Sequence, residues 1–296
     1  MADKKTILVT GATGQLGSEL RELAGNLPGF NFIFTTRAEI PLDDLEAIKT
    51  FTGTISPDYI INAAAYTAVD KAETSAAEAA AARKTNAEAP ALLAAICRER
   101  NIGFIHVSTD YVFDGKASRP YRENDPANPP SVYGTTKREG EVSVQENCPA
   151  AIIIRTSWVY SSFGKNFVKT MLRLMNERKE IGVVNDQLGS PTYAADLAQA
   201  ILHILSSGKW EPGIYHYSNE GIISWFDFAA AIAEEINTSC TVKPIRTEEY
   251  PVPAPRPAYS VLDTGKIKSV YRITIPHWRE SLRLCLEKIK NTPAAG

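Results

Sequence analysis

The sequence has few of the residues that build disulfide frameworks or metal centres. Only four cysteines and four histidines occur among its 296 residues, and both kinds are widely scattered, without a C-x-x-C pair. This pattern argues against a disulfide-stapled secreted domain and against a zinc site. We expect reduced thiols and ordinary histidines, as in a cytoplasmic protein.

Long apolar runs and an excess of one charge are also missing. No segment reaches the roughly 18 apolar residues that a membrane span needs, and Met1–Lys5 leads into a strand pattern without the features of a signal peptide. The 32 Lys and Arg residues balance 34 Asp and Glu residues, so no basic surface for nucleic acid or an anionic membrane is expected. Since 44% of the residues are hydrophobic, the chain can bury one large core or two smaller ones.

Short apolar segments alternate with helical segments through the first half of the chain. The predicted strands cover Thr6–Thr10, Asn31–Thr35, Asp58–Asn62, Gly103–Val107 and Ala150–Arg155, with helix-rich stretches such as 72–86 and 87–100 between them. Apolar strands joined by helices are typical of a parallel sheet that is covered on both faces and has right-handed crossovers. The predicted fold class is therefore α/β, with a Rossmann-type doubly wound sheet.

Beyond about Tyr160 the alternation becomes less regular. Helices are predicted over Asn166–Arg178 and Ser224–Ile236, a short strand over Gly213–Tyr217, and an ordered loop where prolines cluster at 251–257. We interpret this half as a smaller α/β substrate domain that is partly interleaved with the first. The dinucleotide-binding domain would span residues 1–159 plus a return segment at about 179–210, and the substrate domain about 160–178 and 211–296.

A glycine motif, Gly11-x-x-Gly14-x-x-Gly17, follows the first predicted strand and opens a helix. In a dinucleotide site, the first glycine permits the tight turn, the second lets backbone approach the diphosphate, and the third lets helix and strand pack closely. The N–H groups at the helix start favour a bound anion. The motif predicts a nicotinamide dinucleotide site; a glycine-rich turn without a ligand is the alternative.

The end of the second strand bears on which cofactor is used. An NAD-preferring site usually has an acid here for the ribose 2′-hydroxyl, whereas this chain has Thr35-Thr36-Arg37. Arg37 could pair with a 2′-phosphate, which favours NADPH, with NADH also accepted; otherwise Arg37 is a solvated loop charge. Asp43 and Asp44 could read the adenine edge, or one of them could cap the helix that starts near Leu45.

Small residues, Asn62-Ala63-Ala64-Ala65, close the third strand and would let a cofactor lie against the backbone, although they could equally begin an Ala-rich helix. The predicted cofactor contacts are Gly11, Thr13, Gly14, Gln15, Leu16, Gly17, Arg37, Asp43, Asp44, Ala63, Ala64, Ala65, Thr67, Tyr133 and Lys137.

Tyr133 and Lys137 are four residues apart and share one face of a helix for which Ser131 is a candidate cap. An ordinary tyrosine has a pKa of about 10, too high for an efficient acid at neutral pH. A neighbouring ammonium would stabilise the phenolate and lower that pKa. Ser108 and Thr109 end a predicted strand, where ligands bind in open α/β sheets. Tyr133 and Lys137 are therefore expected to lie with them beside the cofactor site.

These motifs together resemble the extended short-chain dehydrogenases. The resemblance rests on the glycine spacing, Ser108–Gly115 and Tyr133-x-x-x-Lys137. Within that superfamily the chain is similar to the dTDP-4-dehydrorhamnose reductases, and the similarity extends over nearly the whole chain. The further matching segments are Asn62–Glu73, Arg155–Tyr160, Asn166–Leu172, Asn185–Thr192 and Arg256–Pro257.

The resemblance implies a reaction in which NADPH or NADH delivers hydride to the C4 ketone of dTDP-4-dehydro-L-rhamnose, giving dTDP-L-rhamnose. It implies that Tyr133 protonates the nascent alkoxide and that Lys137 binds the nicotinamide ribose and lowers the pKa of the tyrosine. Thr109 would hydrogen-bond the reacting oxygen.

The resemblance also implies contacts to a small nucleotide-sugar substrate. Asp110 and Trp158 would hold the sugar, and Trp158 could instead pack in the core. Arg256 would bind the diphosphate, since a lone arginine in a proline-rich loop otherwise has little to order it. Asn166 would touch the nucleotide or merely cap the following helix.

Other activities remain as alternatives. Related dehydratases have an acid pair after the hydroxyl residue, but Asp110 is followed here by Tyr111, which disfavours dehydration. Another nucleotide-sugar reductase or an epimerase stays open. So does a regulatory NADP-binding subunit resembling the β subunit of methionine adenosyltransferase, although intact Thr109, Tyr133 and Lys137 favour an enzyme.

No metal is expected. Some relatives form a dimer bridged by a metal that three glutamates hold. Here Glu19 and Glu287 match two of them, but Ala195 stands at the third position and offers no oxygen ligand. The adjacent Asp196 would point about 100° away on a helix. We therefore expect a monomer or a weak homodimer without a metal bridge.

Overall fold

The structure is a computed structural model that describes residues 4–291; the outermost residues of the two predicted domains, 1–3 and 292–296, lie outside the described residues. The strands are β1 Lys5–Thr10, β2 Phe30–Thr35, β3 Tyr59–Asn62, β4 Gly103–Thr109, β5 Ile152–Thr156, β6 Val159–Tyr160, β7 Glu180–Val184, β8 Leu188–Gly189, β9 Thr192–Tyr193, β10 Gly213–His216, β11 Ile223–Ser224 and β12 Thr241–Ile245. The α-helices are α1 Gln15–Leu23, α2 Leu45–Thr54, α3 Val69–Ala72, α4 Ala76–Arg83, α5 Ala89–Glu99, α6 Val132–Asn147, α7 Phe167–Glu177, α8 Ala194–Ser206, α9 Trp225–Glu235, α10 Gly265–Tyr271 and α11 Trp278–Asn291. A π-helical turn, Lys84–Glu88, connects α4 to α5.

The main sheet has the order β10-β5-β4-β3-β1-β2, and neighbouring strands are parallel throughout. Because β2 lies on one side of β1 and β3 on the other, the chain reverses its winding direction between β1 and β3. In doubly wound sheets, ligands bind at the carboxyl ends of the strands at such a switch point. The predicted Rossmann-type α/β fold is confirmed.

Alternate residues of the buried strands face two helical layers, as the period of two in a β-strand requires. In β1, Ile7 and Val9 pack in a core with residues of α1, α8 and α10. Leu8 packs on the opposite face with residues of α2, α5 and α6. These strands are therefore apolar on both faces, which explains their unbroken hydrophobic pattern in the sequence.

A third core joins α7, α9 and α11, beside small sheets in which β7 pairs with β12 and β8 with β11. The expected division of the chain changes in two places. The strand β10, assigned to the substrate domain, is an edge of the main sheet. Conversely β7, assigned to the return segment of the dinucleotide domain, pairs with β12. Both are short strands whose partners are distant in sequence, so local pattern does not distinguish them.

Several local predictions hold to within a few residues. The helix α6 begins after Ser131, whose hydroxyl accepts a hydrogen bond from the N–H of Gly134. The predicted helices at 166–178 and 224–236 correspond to α7 and α9, and the proline-rich segment 251–257 has neither helix nor strand. Within residues 4–291, no helix is both long enough and apolar enough to cross a membrane.

Candidate active site

A cavity of about 820 Å³ opens at the carboxyl ends of the central strands. Most of the predicted site residues line it, namely Gly11, Thr13, Gly14, Gln15, Leu16, Arg37, Asp43, Ala63, Ala64, Ala65, Thr67, Thr109, Asp110, Tyr133, Lys137 and Trp158. Four predicted site residues are not in its lining: Gly17, Asp44, Asn166 and Arg256. The fold thus brings the glycine motif, the strand end and the Tyr-Lys pair to one place.

The glycine turn is held in a conformation that requires glycine at its first position. Gly11 has a φ of +70°, and a Cβ atom there would lie 2.8 Å from the backbone nitrogen of Ala64. A Cβ atom on Gly17 would lie 2.2 Å from the carbonyl oxygen of Gly11, so Gly17 serves the packing of α1 against the turn. Gly14 is the N-cap and offers no capping side chain, which leaves N–H groups at the start of α1 for an anion.

At the outer end of the cavity, Arg37 pairs with Asp43. Its Nη2 lies 2.7 Å from Asp43 Oδ2, and its side chain is 83% exposed. Asp44 caps α2, because its Oδ1 accepts hydrogen bonds from the N–H groups of Glu46 and Ala47. For Asp44 the capping alternative is therefore the one observed.

The alanines after β3 do not begin a helix. Residues 63–68 have no helical or strand structure, and α3 starts only at Val69. Ala64 lies against the glycine turn, and the segment lines the cavity. The alternative of an Ala-rich helix start is therefore wrong.

Tyr133 lies in the first turn of α6 and is 8% exposed. The helix fits closely against the loop after β4, since a Cβ atom on Gly134 would lie 2.2 Å from the carbonyl oxygen of Tyr111. This contact places Tyr133 beside Thr109, whose hydroxyl donates to Asp110 Oδ1 at 3.0 Å. Burial raises the pKa of Tyr133 to about 12, so the phenol is protonated at neutral pH.

Lys137 is buried one helical turn beyond Tyr133. Its Nζ donates to the carbonyl oxygen of Val107 at 2.7 Å. Burial lowers the pKa of Lys137 to about 8, and Glu141 acts in the opposite direction. The expected net lowering of the tyrosine pKa by Lys137 is not found: burial dominates because Tyr133 lies in an interior that solvates charge poorly.

Asp110 and Trp158 also line the cavity. Asp110 is 2% exposed, and burial raises its pKa to about 6, although the Thr109 hydroxyl donates a hydrogen bond to Oδ1. Trp158 has a φ of +46°, which is unfavourable for a residue with a Cβ atom. Its indole stacks on Trp225, with ring centroids 3.5 Å apart. Because Trp158 is half-buried and lines the cavity, it is not simply a core residue.

Two predicted substrate residues make other contacts. Asn166 caps α7 by accepting from the N–H of Lys169 at 3.1 Å, while its Nδ2 donates to Gln15 Oε1 at 3.0 Å. Arg256 pairs with Asp70 at 2.7 Å. The premise that Arg256 lacks an ordering partner is therefore wrong, because Asp70 lies in α3, far away in sequence.

Glu19, one of the positions matched to a metal bridge, has protein partners. Glu19 is buried, accepts from the Ser161 hydroxyl at 2.6 Å and pairs with Lys288 at 2.7 Å. Asp196 accepts from Asn219 and Ser281 instead of turning toward Glu19. Among residues 4–291, no cluster of three acidic, histidine or cysteine side chains is arranged for a metal ion.

Sequence reasoning missed three residues around the site: Trp225 behind Trp158, Asp70 beside Arg256, and Glu141 behind Lys137. Only Glu141 has a local signal, since it follows Lys137 by four residues and so lies on the same helix face.

Comparison with known proteins places the chain in a family. A family model described as RmlD substrate binding domain matches residues 5–291. The spore coat polysaccharide biosynthesis protein SpsK of Bacillus subtilis is 44% identical over 285 residues, 95% of this chain and 97% of that protein. A dTDP-4-dehydrorhamnose reductase of Burkholderia thailandensis is 41% identical over 299 residues, 96% of this chain and 98% of that protein.

A crystal structure of dTDP-4-dehydrorhamnose reductase from Bacillus anthracis in complex with NADP has a TM-score of 0.91 and 36% identity to this chain. The alignment covers 96% of this chain and 99% of that one. The similarity thus extends through both the dinucleotide-binding sheet and the smaller region that follows it. By its sequence and its fold, this chain belongs to the RmlD substrate binding domain family.

Proposed function

We propose that this protein is an NADPH-dependent reductase that converts the C4 ketone of dTDP-4-dehydro-L-rhamnose to an alcohol, giving dTDP-L-rhamnose. The observation that carries the proposal is that the glycine turn, Thr109, Tyr133 and Lys137 border one cavity. The named reductases that this chain resembles over nearly its full length support the same substrate.

The glycine turn fits a dinucleotide. At Gly11 and Gly17 the backbone approaches its neighbours more closely than a Cβ atom allows, and α1 begins with N–H groups that no side chain caps. Gly11, Gly14 and the start of α1 would hold the diphosphate, while Arg37 would meet the 2′-phosphate of NADPH. When bound, NADPH supplies the hydride; NADH is expected to be accepted with lower affinity.

Tyr133 is the proposed proton donor. As the C4 carbon of the sugar accepts hydride, its oxygen accepts the phenolic proton, so the ketone becomes an alcohol and the tyrosine becomes a phenolate. Thr109, which lies beside Tyr133 at the end of β4, would hold the same oxygen. Lys137 stabilises the phenolate by its positive charge, and the tyrosine then regains a proton from solvent.

The remaining site residues would orient the substrate. Asp110 would accept hydrogen bonds from sugar hydroxyls, and the indole of Trp158 would cover an apolar face of the sugar. Arg256 would bind the diphosphate through Nη1, which is buried and has no hydrogen-bond partner among residues 4–291, while Nη2 stays on Asp70. Asn166 would act mainly by fixing Gln15 at the glycine turn.

The proposal is tested by supplying dTDP-4-dehydro-L-rhamnose and following NADPH absorbance, with NADH in a parallel reaction. Turnover that produces dTDP-L-rhamnose is expected, with a lower KM for NADPH than for NADH. The same ketosugar on another nucleoside diphosphate tests the choice of nucleotide. An absence of turnover, together with co-purification with a synthetase, would instead favour a regulatory subunit.

A further inference from the structure

Glu141 and Arg155 form a buried ion pair next to Lys137, outside the lining of the cavity. Lys137 and Glu141 are one turn apart on α6 and are 2% and 0% exposed. Arg155 of β5 makes a bidentate contact with the Glu141 carboxylate: its Nε donates to Oε1 and its Nη2 donates to Oε2, each at 2.8 Å. Arg138 adds a contact at 2.9 Å from the same helix. Since each buried charge costs several kcal/mol unless it is partnered, this arrangement holds a carboxylate ionised within the core.

Arg155 is itself held from several sides. Its guanidinium lies 4.9 Å from the centroid of the Phe113 ring, and Nη1 lies 3.4 Å from both the Glu123 carbonyl oxygen and His216 Nε2. His216 donates from Nδ1 to a carbonyl at 3.1 Å, and burial lowers its pKa to about 3. His216 is therefore a neutral acceptor, and Glu141 is the anionic partner that fixes the position of Arg155.

We propose that Glu141 is a positioning residue for the reduction, a fixed anion that keeps the Lys137 ammonium charged beside Tyr133, and that Arg155 anchors it. The inference rests on the proposed function, because it assigns a role in that reaction. It follows from a geometry in which a carboxylate without access to water is locked one helical turn behind a buried ammonium.

The other groups around Lys137 do not supply this charge. His106 of β4 is neutral, because burial and Lys137 itself hold its pKa well below the usual range. The carbonyl oxygen of Val107 accepts a hydrogen bond but carries no net charge. Asp110 faces Tyr133 and raises the pKa of that phenol. Glu141 is thus the acid that raises the pKa of Lys137.

Loss of the Glu141 charge should lower the pKa of Lys137 and therefore the pH at which activity falls. Lys137 must be protonated to stabilise the phenolate, so activity should fall as the pH rises through its pKa of about 8. Without the carboxylate, burial acts on Lys137 unopposed and its pKa falls further. The alkaline limb of the pH profile of kcat/KM should then move to lower pH by about one unit, the smaller end of what a neighbouring opposite charge produces.

The test compares Glu141→Gln with a double variant. The single variant leaves Arg155 buried without an anion, which can prevent folding. The double variant Glu141→Gln/Arg155→Met removes one charge of each sign and gives a folded protein for measurement. The alkaline limb should move to lower pH in both, by about one unit in the single variant and by less in the double variant, which also loses the positive charge of Arg155.

A second readout does not depend on turnover. Titration of ¹³C-labelled lysine by NMR, with Lys137 assigned from the spectrum of Lys137→Met, gives the pKa of Lys137 in the ligand-free protein. A value in the double variant below that of the wild type supports the inference. An unchanged lysine titration and an unchanged pH profile in the folded double variant would overturn it. A wild-type protein without turnover would refute the proposed function, and the lysine titration would still decide the role of Glu141.

Discussion

Replacing Tyr133 by phenylalanine removes the proposed proton donor and little else. The ring keeps its edge-to-face contact with Tyr111, at a centroid distance of 5.6 Å. Thr109 still donates to Asp110 Oδ1 at 3.0 Å and accepts from the N–H of Tyr111 at 3.2 Å. The substitution removes the last partner of no buried polar group among residues 4–291, so the free energy of unfolding should change by no more than about 1 kcal/mol.

The catalytic loss should be far larger than the change in stability. General acid catalysis is typically worth 10²–10⁴-fold in rate, which corresponds to about 3 to 5 kcal/mol in the activation barrier. Because the phenol is protonated at neutral pH in the wild type, the whole of this contribution is available there. The dissociation constant for NADPH should stay within about threefold of the wild type, since only one of several cofactor contacts changes.

Turnover is measured by the fall in NADPH absorbance, NADPH binding by fluorescence, and stability by urea unfolding. Tyr160→Phe is the matched control, because Tyr160 is 0% exposed and its hydroxyl has no hydrogen-bond partner among residues 4–291. That variant should keep full turnover and gain up to about 1 kcal/mol in stability. A Tyr133→Phe enzyme with turnover within tenfold of the wild type would refute the assignment of the proton donor.

Three further predictions address specificity and metal dependence. Arg37→Ala should weaken NADPH binding by about 1 kcal/mol, less than a charged hydrogen bond usually contributes because the side chain is exposed, and should leave NADH binding unchanged. Asp43→Asn, which frees Arg37 from its ion pair, should tighten NADPH binding. Titration with both cofactors checks this, and equal effects on the two would exclude Arg37 as the discriminating residue. Trp225→Leu removes the ring that supports Trp158 and should raise the KM for the ketosugar severalfold without changing the KM for NADPH. Steady-state kinetics with each substrate varied measures both values, and a rise in both would contradict this prediction. EDTA should change neither turnover nor the sedimentation coefficient, because Glu19 already pairs with a lysine; a dimer that dissociates in EDTA would disprove this.

Local patterns in the sequence were sufficient to predict the conformation of the glycine turn and the helix that carries Tyr133 and Lys137. The motif Gly11-x-x-Gly14-x-x-Gly17 depends on backbone conformation over a few residues, and the structure has Gly11 at positive φ with α1 starting at Gln15. Ser131 caps α6 as its position predicts. Such features follow from short-range sterics and hydrogen bonding, which a sequence displays directly.

The partners across the fold were beyond local pattern. The pairing of β10 with β5, the stacking of Trp158 on Trp225 and the ion pair between Arg256 and Asp70 join segments that lie far apart in the chain. Each side chain had several possible partners in sequence, and packing selected one. This is why Arg256 seemed unpartnered from its own loop.

The protonation states of the site were likewise decided by the tertiary structure. The four-residue spacing of Tyr133 and Lys137 places them on one helix face, and this much the sequence determined by itself. Whether the pKa of the tyrosine falls or rises depends on burial, which raises it to about 12. The charge of Lys137 depends on a carboxylate that Arg155 holds from a neighbouring strand. Burial and long-range ion pairing are properties of the folded chain, because only folding excludes water and brings β5 against α6.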